Sequence, residues 1–362
     1  MKQQITKPHS ATRRSILGMA GAALTTPYLW IPRANAAGQV IIRSPGGVYD
    51  DIRKETIYDP FRKETGIEVI PVATTGAKLD AMLRSGNIEL DIVDTGIQLL
   101  VSYQKQDALI PIPYKEFKYT DPDDIDENYK HEYIVGNFTY AQAMAFNTEA
   151  YTLATGPKDW AEFWDAKRFP GPRMLADVAT GSPDLEAALI ADGVPMDKLY
   201  PLDLKRAFDS LTRIRPSIRK FWDTGSLCAQ MLTNKEVVMG SIWSSRLLAS
   251  REAGAPLVQN WNQHEVQVQA YSILKGAPNT ENAKKLIDYC LSKDVQQRYF
   301  ERYSAGPVTK TAYKNLSADK RENIPGGDRT ARYGFVQDAQ WWGNLENKQA
   351  VSAAWSKWVL SK

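Results

Sequence analysis

Few side chains in this 362-residue chain have the types and spacing that catalysis requires. The chain holds three histidines, and two of them, His131 and His264, each stand beside a glutamate. Serine hydrolysis needs a histidine within hydrogen-bond reach of the nucleophile, which leaves Ser182 and Ser241 as candidate nucleophiles of a secreted hydrolase. The motifs His-Glu-x-x-His, Cys-x-x-Cys and Gly-x-Ser-x-Gly do not occur. The sequence therefore predicts a protein that is not an enzyme, with the hydrolase kept as an alternative.

The sequence also gives little support for a metal site or for thiol chemistry. Neither histidine pairs with a cysteine at metal-ligand spacing, so no metal or cofactor is expected. The acidic run 121–127 resembles the start of a calcium loop, but Ile125 and Asp126 stand where a ligand and the turn glycine belong. It is predicted to be a solvated loop. Cys290 shares a predicted helix face with apolar residues, which favours a buried thiol over a disulfide with Cys228.

The elements that must position these residues alternate between short β runs and helical runs, which is typical of an α/β protein with parallel sheets. Three successive strand-helix units describe half of a doubly wound lobe, whose ligands bind beyond the carboxyl ends of the strands. The first helix is expected to begin at Val48 and to break near Pro60. The predicted strands are 39–43, 68–72, 90–94, 141–146, 237–242, 257–261 and 266–271.

Residues 1–36 have the three parts of an export signal, namely a basic start, a short apolar stretch and an A-x-A cut site ending at Ala36. The segment TRRSIL at 12–17 resembles a twin-arginine export signal. This leader holds five bases and no acid, so the remaining chain has 40 bases against 42 acids. The mature protein is predicted to lie in the bacterial periplasm, and its dispersed charge excludes nucleic acid as a partner.

Five segments, taken together and in this order, resemble the bacterial extracellular solute-binding proteins of the spermidine/putrescine-binding type. They are WAEFWD at 160–165, RFPGPR at 168–173, SIWSSR at 241–246, KGAPN at 275–279 and YSAGP at 303–307. The resemblance implies a periplasmic binding protein fold, with two α/β lobes that each have a central sheet flanked by helices and that close around a small molecule like a Venus flytrap. It also implies delivery of that molecule to an ABC permease in the inner membrane. A monomer is expected.

On this analogy the chain has a leader and two lobes. The leader is 1–36, the first lobe is 39–143 with 263–308, and the second lobe is 144–262 with 309–362. A chain of this length is also longer than a single hydrophobic core usually supports.

The resemblance indicates where the ligand lies. Polyamine binders of this type carry Trp-x-Asp on the strand before the Lys-Gly-Ala segment, and the matching positions here are Gln267 and Gln269. A second acidic pair of those proteins falls within 180–184, where Thr180 and Ser182 are polar candidates and Asp184 is the acid. A buried ammonium group without a carboxylate partner costs on the order of several kcal/mol. These residues therefore disfavour a polyamine.

In relatives that bind amino-acid-like ligands, an arginine after the tryptophan of the SIWSSR segment resembles a carboxylate clamp. Trp243 and Arg246 hold these positions, and a guanidinium matches both oxygens of a carboxylate. The alternative is a solvated arginine on an exposed helix face. Tyr49 and Thr95 are candidates from the first lobe, because each follows the carboxyl end of a strand where helix amides favour anions. The alternative is that Tyr49 and Thr95 only help to form the turns after their strands.

The predicted function is therefore capture of a small polar solute that bears a carboxylate, such as an amino-acid-like or opine-like compound. A spermidine or putrescine binder is the first alternative. A chemoreceptor-docking or structural periplasmic protein is a third class.

Overall fold

Two strands are much longer than the others and pass through the centre of the molecule. They are β5 (Val135–Asn147) and β9 (Leu257–Leu274), which pair antiparallel along their lengths. The computed structural model describes residues 38–325, 327 and 331–361. The sequence analysis placed two strands at 257–261 and 266–271, and this was wrong. The structure has one strand with a bulge at 261–264, where Gln263 has a φ of 58°.

The other strands of the described residues are short. They are β1 (Gln39–Ser44), β2 (Glu68–Ala73), β3 (Ile92–Gly96), β4 (Leu109–Ile110), β6 (Arg173–Ala176), β7 (Ile218–Trp222), β8 (Met239–Trp243), β10 (Gly306–Pro307) and β11 (Gly334–Val336).

Helices flank the strands. They are α1 (Val48–Arg53), α2 (Asp59–Thr65), α3 (Gly76–Ser85), α4 (Ile97–Gln104), α5 (Trp160–Trp164), α6 (Leu185–Ala191), α7 (Leu204–Ile214), α8 (Gly225–Thr233), α9 (Ser244–Glu252), α10 (Thr280–Leu291), α11 (Lys293–Phe300), α12 (Lys310–Asn315), α13 (Ala318–Glu322), α14 (Ala339–Trp342) and α15 (Leu345–Leu360). Within the described part of the chain, every helix is too short or too polar to cross a membrane.

The first helical run does not break at Pro60 as the sequence suggested. A π-helical turn, Lys54–Tyr58, joins α1 to α2, and Pro60 lies in the first turn of α2. The proline therefore stands where the π-helical turn gives way to α2, so its missing N–H falls at the change in the helical hydrogen-bond pattern.

The strands form one hydrogen-bonded path in the order β2-β1-β3-β9-β5-β8-β6-β7. Pairing is parallel between β1 and both β2 and β3, and also between β6 and both β7 and β8. The centre is antiparallel, because β9 pairs with β3 and β5, and β5 with β8. The predicted parallel pairing is therefore found mainly in the two outer parts of this path. Three short strands lie off the path: β4 and β10 pair antiparallel with β9 and β5, and β11 pairs parallel with β9. The carboxyl end of β3 lies beside the middle of β9, and the carboxyl end of β8 lies beside the middle of β5.

The buried apolar residues fall into four clusters. We call the two clusters around β1 and β3 the first lobe and the two around β6 and β8 the second lobe. The first lobe contains Ile42, Ile92 and Tyr271, and the second contains Leu189 and Met239. The central strands enter both lobes, since Phe138 packs in the first and Phe146 in the second. The C-terminal segment is divided, with Leu316 and Ile324 in the first lobe and Trp355 and Trp358 in the second. The residue boundaries of the lobes remain a prediction.

Both cysteines are free and buried, and for Cys290 the sequence analysis expected this. The thiol of Cys290 accepts a hydrogen bond of 3.6 Å from Arg53 inside the first lobe. Cys228 packs in the core of the second lobe.

Candidate functional site

One face of the two central strands carries polar and aromatic side chains. Alternate residues of a strand point to the same face, and residues directly opposite on a paired strand share that face. The six residues on this face, three on β9 and three opposite on β5, are Glu265, Gln267, Gln269, Gln142, Tyr140 and Phe138. They lie between the end of β3 on one side and the end of β8 on the other.

At the first-lobe end of this face, Asp94 is a fully buried acceptor. Its carboxylate accepts hydrogen bonds from the Tyr49 hydroxyl, from Gln269 Nε2 at 2.8 Å and from Asn137 Nδ2 at 3.5 Å. Arg53 Nη1 lies 3.9 Å from the same carboxylate. Burial raises the pKa of Asp94, whereas the charge of Arg53 lowers it.

Arg53 is itself wholly buried and is surrounded by aromatic rings. Its guanidinium carbon lies 5.2 to 5.6 Å from the ring centres of Tyr49, Tyr58, Tyr271 and Tyr299. These are cation–π distances. The protein therefore supplies its own cation to Asp94, and this carboxylate is balanced without a ligand.

At the second-lobe end, Ser182 joins three polar side chains. Its Oγ accepts hydrogen bonds from Gln267 Nε2 at 2.9 Å and from Gln337 Nε2 at 2.6 Å, and it lies 3.2 Å from Glu265 Oε1 as a donor. Both glutamines also donate to Glu265, at 2.7 and 2.6 Å. Thr180 supports this arrangement, because its hydroxyl accepts from the Ser182 amide at 3.2 Å.

Three carboxyl groups lie together in the second lobe, those of Asp184, Glu186 and Glu265. None of them forms an ion pair with a basic side chain of the described residues. Asp184 accepts hydrogen bonds from Ser241 and Gln142, at 2.6 and 2.7 Å. Glu186 accepts hydrogen bonds of 2.6 and 2.7 Å from the donors Tyr200 Oη and Trp342 Nε1. Burial raises the pKa of all three groups, to about 7 for Glu186 and well above the usual range for Glu265, where the charge of Glu186 adds to the effect. This group of carboxyls therefore holds protons more firmly than exposed acids do.

Trp243 ends β8 beside this face. Its Nε1 donates a hydrogen bond of 3.1 Å to Gln142 Oε1, and its ring meets Trp222 edge-on at 5.0 Å and Tyr140 edge-on at 6.3 Å. These contacts fix the orientation of the indole at the junction of the two lobes.

Arg246, one turn into α9, is half-buried and forms no hydrogen bond or ion pair through its side chain with any described residue. Its stem lies over Gly225, where a Cβ atom would come within 2.8 Å of Arg246 Cγ. The Tyr303 hydroxyl of the first lobe is close by, since Arg246 and Ser245 both lower the pKa of Tyr303 against the rise that burial causes. Tyr303 in turn packs against Phe138 at 5.5 Å.

The residues that the sequence singled out thus take four positions. Tyr49 and Gln269 meet at Asp94, and Tyr49 is buried with its hydroxyl bonded to that carboxylate. Gln267, Ser182 and Thr180 meet at Glu265, and Trp243 and Arg246 lie across from them. Thr95 is apart from the others, because it pairs with Ala270 and so alternates to the opposite face of the sheet from Asp94.

The sequence analysis missed several residues of this region. Asp94, Glu265 and Gln337 receive or make its hydrogen bonds, and Arg53 and Tyr303 enclose it. The alternation of Glu265 with Gln267 and Gln269 at every second position was a signal that could have found Glu265. No comparable pattern marks Gln337, which lies far along the chain.

The two candidate nucleophiles of a hydrolase have partners other than histidine. Ser182 Oγ bonds to Glu265 and two glutamines, and Ser241 Oγ donates to Asp184 and accepts from Trp222 Nε1 at 3.2 Å. The Nδ1 atom of His264 lies 2.7 Å from the Trp261 carbonyl oxygen. This geometry does not form a serine-histidine pair.

Comparisons with known proteins agree with the fold and the lack of catalytic groups. The family model described as "Bacterial extracellular solute-binding protein" matches residues 56–325. The gamma-aminobutyric acid-binding protein of Pseudomonas aeruginosa is 26% identical over 97% of this chain and 97% of its own. The spermidine/putrescine-binding periplasmic protein of Escherichia coli is 25% identical over 73% of this chain and 76% of its own.

Among solved structures, the PBP AgtB from A. tumefaciens R10 in complex with agropinic acid has a TM-score of 0.79 and 27% identity. The match covers 90% of this chain and 99% of that one. The two-lobed α/β fold predicted from the sequence is confirmed, and the relatives are binding proteins, not enzymes. The family model spans most of the chain, and the protein belongs to the bacterial extracellular solute-binding proteins that serve ABC transporters.

Proposed function

We propose that this protein captures a small polar solute bearing a carboxylate between its two lobes and delivers it to an ABC permease. The proposed solute is an amino-acid-like or opine-like compound. The relatives support it, because one is named for gamma-aminobutyric acid and another was solved with agropinic acid, and both of these compounds are carboxylic acids.

The observation that carries the proposal is the guanidinium of Arg246. A half-buried arginine normally has a hydrogen-bonded partner, since leaving a desolvated charge unpaired is costly. Arg246 has none among the described residues, and it lies beside Trp243, whose indole is held in place by Gln142. A ligand carboxylate would supply the missing anion with two parallel hydrogen bonds.

Binding of a polyamine is the weaker candidate. A doubly charged amine needs carboxylates that are free to pair with it. Asp94 already faces Arg53, and Glu265 already accepts three hydrogen bonds and has a raised pKa. The more distant match to a spermidine/putrescine-binding protein is consistent with this order of candidates.

The test compares the parent protein with Arg246→Met by titration calorimetry, using 4-aminobutyrate, agropinic acid and spermidine as probes. The parent is expected to bind an acid, and Arg246→Met is expected to weaken that binding roughly thirtyfold or more, because a desolvated charge loses its partner. Arg251→Met is the matched control, since Arg251 is exposed on the same helix. Unchanged binding of the acid by Arg246→Met would overturn the clamp, and tighter binding of spermidine than of either acid would favour the polyamine alternative.

Relatives are periplasmic, and we further propose that this chain reaches the periplasm through a twin-arginine leader that is cut after Ala36. The leader lies outside the described residues, and its support is the sequence pattern alone. We also propose that the mature protein acts as a monomer, with lobes close to the boundaries 39–143 with 263–308 and 144–262 with 309–362. The packing of Leu316 and Ile324 assigns the segment around them to the first lobe instead.

A further inference from the structure

Four glutamines near the candidate site share one arrangement. Each donates its amide nitrogen to a buried carboxylate. The pairs are Gln269 with Asp94 at 2.8 Å, Gln142 with Asp184 at 2.7 Å, Gln267 with Glu265 at 2.7 Å and Gln337 with Glu265 at 2.6 Å. A glutamine amide has a donor nitrogen and an acceptor oxygen on opposite branches. Fixing the nitrogen on a carboxylate therefore turns the oxygen away as an acceptor.

The amide oxygens of these glutamines differ in whether they accept a hydrogen bond. Gln142 Oε1 accepts from Trp243 Nε1 at 3.1 Å, so this amide is satisfied on both sides. The Oε1 atoms of Gln267 and Gln269 accept no hydrogen bond from any described residue. Both side chains lie on the same face as Tyr140 and keep a small exposed fraction, 2% and 6%. Two acceptors with fixed orientation are thus left for a ligand.

The carboxyl groups behind these two acceptor oxygens carry little unbalanced negative charge. Behind Gln269, the Asp94 carboxylate lies 3.9 Å from the Arg53 guanidinium. Behind Gln267, Glu265 is buried with two further carboxyls nearby, a crowding that favours its protonated form. An ammonium group placed here would lose its water shell without gaining a full counter-charge. A hydroxyl or an amide N–H would satisfy the acceptors without that cost.

We propose, resting on the carboxylate-binding function above, that the solute has uncharged hydrogen-bond donors at the end opposite its carboxylate. Arg246 takes the carboxylate, and Oε1 of Gln267 and Oε1 of Gln269 accept from hydroxyl or amide N–H groups. Within the carboxylate-bearing class proposed above, this narrows the ligand to a hydroxy or polyhydroxy acid and disfavours the amino-acid-like members that carry a free ammonium group. The two glutamines determine this specificity because carboxyl oxygens of Asp94 and Glu265 hold their amide nitrogens and leave Oε1 as the acceptor.

The direct test is calorimetry with acids that differ at one end. The probes are 4-hydroxybutyrate, 4-aminobutyrate and pentanoate, which have similar length, together with gluconate as a polyhydroxy acid. The best hydroxy acid is expected to bind about tenfold tighter than both 4-aminobutyrate and pentanoate, since a matched donor adds one or more hydrogen bonds. Equal or tighter binding of 4-aminobutyrate would overturn this inference while leaving the carboxylate clamp intact. Absence of binding by all four acids would count against the carboxylate-binding function as well.

Two substitutions of Gln269 test whether this residue sets the preference for a hydroxy acid. Gln269→Met keeps the size of the side chain and removes the acceptor, so it is expected to cut the preference for the hydroxy acid over pentanoate by about tenfold. Gln269→Glu adds a carboxylate and is expected to reverse the preference toward 4-aminobutyrate. The control is Gln259→Met on the same strand, because Gln259 is also buried but its amide makes no hydrogen bond in the described structure. An unchanged preference in both Gln269 variants, with melting temperatures showing a folded protein, would overturn the assignment.

Discussion

The carboxyl group of Glu186 has hydrogen-bond donors beside it but forms no ion pair with a basic side chain of the described residues. Tyr200 and Trp342 both donate to its Oε1 atom, and Oε2 is buried without a hydrogen bond from a described residue. Asp184 and Glu265 are the acidic neighbours that affect its charge. The neutral form is therefore favoured in the folded state.

This arrangement predicts that stability falls as pH rises from about 4.5 to about 7. Burial raises the pKa of Glu186 from 4.5 to about 7, so the folded state holds the proton more tightly than the unfolded chain does. The stabilisation is complete below pH 4.5 and is lost as pH rises to 7, with a size of about 3 kcal/mol from the general relation between pKa and free energy. Raised pKa values at Asp184 and Glu265 act in the same direction.

Glu186→Gln is expected to flatten the dependence of melting temperature on pH between 5 and 8, because the amide oxygen still accepts from Tyr200 and Trp342 and no proton is bound. Thermal unfolding of the parent and the variant across that range measures the effect. The exposed Glu236→Gln serves as the control. A variant that keeps the full slope of the parent would show that Glu186 does not titrate in this range.

At the scale of elements, α8 begins with a glycine because two residues of the candidate site pack over it. A Cβ atom on Gly225 would lie 2.8 Å from Arg246 Cγ and 3.0 Å from Trp243 Cε3. Thr224 caps this helix, and Thr75 caps α3 in the same way before Gly76. The two helices therefore offer a matched pair of glycines.

Gly225→Ala is expected to weaken acid binding about tenfold while leaving the free energy of unfolding near that of the parent. Alanine is the better helix residue by roughly 1 kcal/mol, which offsets the crowding, but Arg246 and Trp243 must shift to make room. Calorimetry and urea unfolding measure the two quantities. Gly76→Ala is the control, because its nearest contact would be an ordinary 3.8 Å to Leu99. Loss of stability with unchanged affinity would contradict this interpretation.

The sequence predicted individual elements well where local signals mark their ends. Helix α3 carries such signals at both ends, because Thr75 caps its start and Gly86 takes a left-handed conformation at its end. The bulge in β9 was missed, since Gln263 has a positive φ that its residue type does not announce. The Asp94–Arg53 and Glu265–Gln337 contacts join distant parts of the chain, and no local pattern encodes them.

At the scale of the whole molecule, the proposed leader would change the electrostatic character of the chain. The full sequence has a formal charge of +3, and a cut after Ala36 would remove five bases and leave 40 bases against 42 acids. The mild basicity of the full sequence would then belong to the proposed export signal and not to the rest of the chain.

Replacing Arg13 and Arg14 together with lysine is expected to keep the precursor charge and stop export, because the twin-arginine signal requires guanidinium groups that lysine does not reproduce. Cell fractionation followed by mass spectrometry of the N-terminus measures the outcome. The parent should appear in the periplasm beginning at Ala37, and Arg33→Lys should behave like the parent. Normal export of the double variant would assign the leader to a different pathway.

The pairing of β5 with β9 also sets the order in which the chain can be completed. Val135 pairs with Tyr271 and Asn147 with Leu257, so the strands that enclose the centre of the first lobe are separated by most of the second lobe. A ribosome must therefore make residues up to Leu274 before the first lobe can close its sheet, and contacts between such distant segments form slowly. During synthesis the unpaired edges of β3 and β5 stay open to chaperones and proteases, and export as a folded protein would have to wait for this last strand.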